Sequence, residues 1–106
     1  MSNFLAKNNN MKLSSVDDAL HVLASGQSGC IFTLDDLGDD FFNLSNRIAG
    51  EVFQKFVNYN FKVVFIIPAD HNLGERVTEL IRDHARHSTI RFFETVEQAE
   101  RWLISN

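Results

Sequence analysis

The chain has 106 residues, 44% of them hydrophobic and 23% charged, which is the composition of a single globular domain with one core. Ten Lys and Arg against fourteen Asp and Glu leave a formal net charge of −4, a balance that repels a phosphate backbone and excludes nucleic acid as a general partner. A lone cysteine, Cys30, cannot close an internal disulfide, the amino end has no apolar core of signal-peptide length, and no run approaches the roughly 20 apolar residues of a membrane span; a cytosolic protein without membrane contact is expected.

Residues 3–13, "NFLAKNNNMKL", place two short apolar patches around an Asn-rich tract that accepts tight turns, which predicts a small hairpin or a frayed arm. From Ser15 onward Val16, Ala19, Leu20 and Leu23 recur at helical spacing. Ser15 is a good N-cap, Asp18 stands in the first turn, and Gly26 can end the helix. "CIFTL", residues 30–34, reads as a short buried strand running into the acidic loop "DDLGDD".

The next helix is expected to begin near Ser45. Ile48, Ala49, Val52, Phe53, Phe56 and Val57 give it a broad apolar face, and Glu51 and Lys55 pair at i,i+4 on the other side. "KVVFII", residues 62–67, is almost uniformly apolar and stops at Pro68, as a central strand covered on both faces does. Val77, Leu80, Ile81 and Ala85 define a third helix and "TIRFF" a third strand. Thr95 with Gln98 then forms a capping box opening a last helix on Val96, Ala99 and Leu103. Strands alternating with helical connections predict a parallel-containing sheet with right-handed crossovers. "SVDDALHVL" and "TVEQAERWL" share a spelling, but two capped amphipathic helices packing on one sheet converge on it without duplication.

Neither GxGxxG nor GxxxxGK[ST] occurs, so nucleotide binding lacks its usual support and no cofactor is expected. Ligands of open α/β sheets sit beyond the carboxyl ends of the strands. There Asp35, Asp36, Asp39, Asp40, Asp70 and Glu94 make an acidic rim suited to a cation or a basic surface. The loop lacks the alternating Asp and fixed Gly of an EF-hand, and His84 and His87, at a spacing two metal ligands can use, read as partly buried structural histidines; no metal is expected. Cys30 opens an apolar strand, a poor setting for a nucleophile. Ser45 reads first as an N-cap.

In "DDFFNLSNRIAGE", residues 39–51, Phe41 and Phe42 cannot both point the same way, so one enters the core and the other is partly exposed or covered by another chain. Gly50 costs roughly 1 kcal/mol against Ala inside a helix, which suggests close backbone packing against a neighbour.

The block "FFNLSNRIAGEVFQKFVNYNFKVVFII" resembles the most recognisable part of a family of short bacterial proteins catalogued as a domain of unknown function, DUF4180. Phe41, Phe42, Leu44, Ser45, Ala49, Gly50, Glu51, Gln54, Lys55, Phe56, Asn58 and Tyr59 carry the likeness. "SVDDAL" resembles that family's first helix and "FFETVEQAERWL" its closing strand and helix. The amino end and "PADHNLGERVTELIRDHARHST" match it loosely. The arrangement is also similar to STAS and SpoIIAA-like domains, whose helix after a central strand begins Asp-Ser-Ser-Gly. That motif is absent here, although Ser45 stands at a comparable helix start.

The whole chain, 1–106, is therefore expected to be one α/β domain, a small, mostly parallel sheet of three to four strands flanked by about four helices, SpoIIAA/STAS-like. Its expected role is a non-enzymatic interaction or regulatory module with Phe41, Phe42, Ser45 and Gly50 in the contact surface. A homodimer is expected, because a short sheet has two open edges and ten Phe with Trp102 and Tyr59 exceed what one small core hides; another protein partner is possible. The alternative is a small ligand binder or enzyme using the rim at Asp39, Asp40, Asp70 and His71.

Overall fold

The computed structural model describes residues 4–6, 11–43 and 47–105. In chain order it contains α1 (Val16–Leu23), β1 (Gly29–Thr33), a 3-10 turn (Leu34–Asp36), α2 (Ile48–Asn58), β2 (Lys62–Ile66), α3 (Glu75–Asp83), β3 (Ile90–Phe93) and α4 (Val96–Ser105). The three strands form one parallel sheet in the order β1-β2-β3, with Cys30 opposite Val63 and Val63 opposite Ile90.

Strand alternation divides the interior into two layers. Cys30, Phe32, Val63, Phe65, Ile67, Ile90 and Phe92 face a layer built from α1, α2 and α3, whereas Ile31, Val64, Ile66 and Phe93 face α4. Because the strand order steps one way, crossovers of one hand carry all their helices to the same face; α4, which follows the last strand, is left to cover the other.

Phe65, in the middle of β2, organises the larger layer. Its ring lies 5.3 to 6.2 Å from those of Phe32, Phe41, Phe42, Phe53 and Phe92. None of the ten phenylalanines is exposed. On the α4 face Trp102 is half-buried beside Phe93, with Lys62 Nζ and Arg91 Cζ 5.5 and 5.0 Å from its ring.

The helix ends follow local chemistry. Ser15 Oγ accepts the Asp18 N–H, and the Asp18 carboxylate accepts the N–H and hydroxyl of Ser14. Burial works against that carboxylate's charge, but the bonds from Ser14 and Ser15 and the nearby His21 together outweigh it and hold the group below the usual value. Gln98 Oε1 accepts the N–H groups of Glu94 and Thr95 while Thr95 Oγ1 accepts from Gln98, the expected capping box. The start of α2 differs from expectation: the helix begins at Ile48, its N-cap is Arg47 in the left-handed region at φ 64°, and Ser45 lies outside the described residues.

The described pieces of residues 3–13 run along the sheet: Leu5 bridges Ile31 in parallel, Leu13 bridges Leu37, and Ala6 and Leu13 are fully buried. An outward-facing row of β1 is thereby occupied, with Ile31 donating to Phe4 O at 2.7 Å and Thr33 to Asp36 Oδ2 at 2.8 Å. The outer edge of β3 is closed differently. Of the N–H groups facing outward at 90, 92 and 94, the first is taken by His87 Nδ1 and the last by Gln98.

Candidate functional site

Among the described residues two hollows lie toward the carboxyl ends of the strands. In a sheet whose order never reverses, no crevice opens between helices on opposite faces, so hollows there must come from loops and from α3. α3 is lightly held, since Val77 is its one buried residue and Leu80 and Ile81 are half-buried. It starts at Gly74, whose φ of 103° and ψ of 168° suit glycine alone, and it has no side-chain N-cap.

An open cleft of about 690 Å³ lies between the turn after β1, at Phe42 and Asn43, and the segment Leu73 to Val77. A second, half-open cavity, of about 300 Å³, is lined by Ile67 to Ala69, His71, Thr78, Ile81 and Phe92 to Glu94. The two share no lining residue. The loop between them is braced by His71, whose Nδ1 accepts the Leu73 N–H at 3.1 Å. A neutral ring therefore carries its proton on Nε2, which faces Thr78 Oγ1 at 3.4 Å, while the Thr78 hydroxyl donates to Gly74 O at 3.3 Å.

The residues singled out in the sequence are dispersed around this edge. Phe41 is in the core at 1% exposure, and Phe42 is half-buried at the cleft with its ring 5.0 Å from that of Phe41. Asp39, Asp40 and Asp70 are exposed in turns and line neither hollow, whereas His71 lines the cavity. Among the described residues no three His, Cys, Asp or Glu side chains are grouped to hold a metal.

Gly50 makes no close approach within the chain: it is exposed, and an added Cβ would meet nothing within 4 Å. The helix face it occupies is the solvent face of the single chain, so any close packing there would be against another chain. Glycines that do permit a close approach are Gly29, where a Cβ would stand 2.9 Å from Leu103 Cδ2, and Gly38, where it would stand 2.6 Å from Ser14 Cβ and 3.1 Å from Ser14 Cα.

Groups with catalytic potential are tied up in structure. Burial, with the Asp36 carboxylate nearby, pushes the Cys30 thiol up to about 12. Asp36 is 5% exposed and accepts from the N–H and hydroxyl of Thr33. His84 Nδ1 lies 2.8 Å from Leu80 O, with its ring edge-on to Phe53 and Phe92, so it is the partly buried, bonded histidine expected. His87 Nδ1 accepts the N–H groups of both Thr89 and Ile90, and Arg91 Nε donates to the His87 carbonyl.

The profile described as "Domain of unknown function (DUF4180)" matches residues 3–103. The chain belongs to the DUF4180 family. Searches of curated proteins and of solved structures returned no match. The family assignment thus rests on nearly the whole DUF4180 chain, including both hollows, and the comparison lends nothing to the STAS part of the resemblance. Among the described residues of this DUF4180 protein no helix is long and apolar enough to cross a membrane.

Proposed function

We propose that this DUF4180 protein is a non-enzymatic, cytosolic interaction module that docks another protein through the cleft between the Phe42 turn and the start of α3. The observation carrying the reading is the cleft itself. It is open, about 690 Å³ in volume, and combines the half-buried Phe42 ring with Leu73, 37% exposed, and the charged Glu75 and Arg76 at its margin. An apolar anchor with a polar margin is the ordinary anatomy of a recognition surface. Support also comes from His84, His87, Cys30 and Asp36, each of which is engaged in holding the fold.

A different protein suits this surface better than a second copy. The two grounds for a homodimer were open sheet edges and surplus aromatics. The arm occupies the β1 edge, His87 and Gln98 close most of the β3 edge, and every phenylalanine is covered. Leu73→Asp and Arg76→Glu should release a partner that copurifies with the native protein, whereas Ile104→Asp, at a residue 72% exposed on α4, should retain it. Retention of that partner by both cleft variants would refute the cleft as its docking site, and turnover of a small substrate by the purified chain would refute the non-enzymatic reading.

A further inference from the structure

The outer edge of β3 is closed at two points and open between them. In the parallel ladder Arg91 and Phe93 turn their backbone groups toward β2, in register with the bonds from the Val63 N–H to Thr89 O and from the Ile67 N–H to Phe93 O. Ile90, Phe92 and Glu94 therefore present both N–H and C=O outward. His87 Nδ1 takes the Ile90 N–H at 3.0 Å and Gln98 Oε1 takes the Glu94 N–H at 3.1 Å. Between these caps the Ile90 C=O and the N–H and C=O of Phe92 have no hydrogen-bond partner among the described residues. Along the edge they read acceptor, donor, acceptor, which is what a short length of extended backbone complements. Phe92 is also a wall of the half-open cavity of about 300 Å³, with Ile67, Pro68 and Ile81.

We infer that this window at Phe92 binds a short extended segment of a partner protein by strand addition, with one apolar side chain of the segment seated at the neighbouring hollow. Strand addition divides the work in that way, main-chain bonds giving affinity and a side-chain pocket giving specificity. The caps decide against a second copy of this chain. Pairing β3 with β3 about Phe92 would set the His87 cap of each chain against the Gln98 cap of the other in the narrow space between strands. A segment of a few residues that leaves the edge at both ends avoids them. No Lys or Arg lines the hollow and Glu94 is exposed at the end of the window, so basic residues flanking the apolar one fit better than acidic ones. The window and its hollow share no residue with the docking cleft, and the inference goes beyond that reading.

The peptide acetyl-Lys-Val-Phe-Val-Lys-amide tests the inference on the intact chain, read by amide chemical shifts and hydrogen exchange. In the free chain the Phe92 N–H should exchange faster than those of Ile90, Arg91, Phe93 and Glu94, all of which are bonded. The peptide should shift the amides of Ile81 and of Ile90 to Glu94 saturably and slow exchange at Phe92. Because alternate residues of an added strand face the edge, two backbone N-methylated forms should differ. Of one methylated at the first, third and fifth residues and one at the second and fourth, one should bind like the parent and the other at least about fivefold more weakly. Gly in place of the central Phe should also weaken binding at least about fivefold. Equal affinity of the two methylated forms, a Gly peptide as tight as the parent, or no saturable shift would overturn the inference. Shifts confined to Phe42, Asn43 and Leu73 to Val77 would also overturn it, while leaving the docking cleft in place.

Discussion

The His87 ring and the Ile90 backbone are joined by a 3.0 Å hydrogen bond from the Ile90 N–H to Nδ1, at the point where β3 begins and its outer edge would otherwise be open. The same nitrogen accepts from Thr89 at 3.0 Å, so the fold requires an unprotonated Nδ1. Burial first, then the neighbouring His84 and Arg91, lower the pKa of His87 below its ordinary 6.5. A depressed folded value means that the unfolded chain binds the proton more readily. The contribution is complete above 6.5 and is lost as pH falls through the lowered value. Thermal melts between about pH 7.5 and pH 5 should show Tm falling with pH, and falling less in His87→Gln. A drop of equal size in that variant would contradict the role of the ring.

Phe53→Ala and Phe56→Ala should each cost about 3–5 kcal/mol, a large part of the stability of a domain this size. Phe56 is fully buried, and Phe53, 8% exposed, packs against Phe41, Phe65, Phe92 and His84. Chemical denaturation measures both. A loss under about 1 kcal/mol at either position would mean that the α2 face is not buried as described.

Two glycines should respond in opposite directions. Gly50→Ala, in open space on a helix, should stabilise by about 0.5–1 kcal/mol, whereas Gly74→Ala, at φ 103°, should destabilise by about 1–3 kcal/mol and loosen the start of α3. The sign at each site, from denaturation midpoints, is the check. A loss of stability in Gly50→Ala would point to a contact on that helix face outside the single chain.

Light scattering at micromolar concentration should return the mass of one chain, 12.1 kDa, because most of the sheet edge is closed and every phenylalanine is covered within the chain. Twice that mass would restore the homodimer and direct attention to the exposed Leu20, Val57 and Tyr59.

Much of this architecture was legible in the residues because it rests on local, periodic signals. The uniform run of β2, the spacing of Ala49, Val52, Phe53 and Phe56, and the Thr95 and Gln98 box each announce one structure, and each is found there. That one of Phe41 and Phe42 enters the core was expected, but not which, and the pair stands in a turn rather than an extended segment. The arm along β1 was not legible, since three residues have no periodicity and their role depends on a sheet edge formed elsewhere. Gly50 was ambiguous for a related reason: a helical glycine signals either contact or open surface, and within the single chain it stands on open surface. The cavity is the least local feature. It joins Ile67, Thr78, Ile81 and Phe92, which no short stretch brings together.

The claim that this surface docks a protein is tested most directly by a photo-crosslinking residue placed at Leu73 and, in a second preparation, at Ile104, both exposed but at different places in the fold. In cells the Leu73 probe should trap one discrete protein of different sequence that the Ile104 probe does not, and Arg76→Glu should abolish that adduct. Equal adducts from the two positions, or none from Leu73, would contradict it.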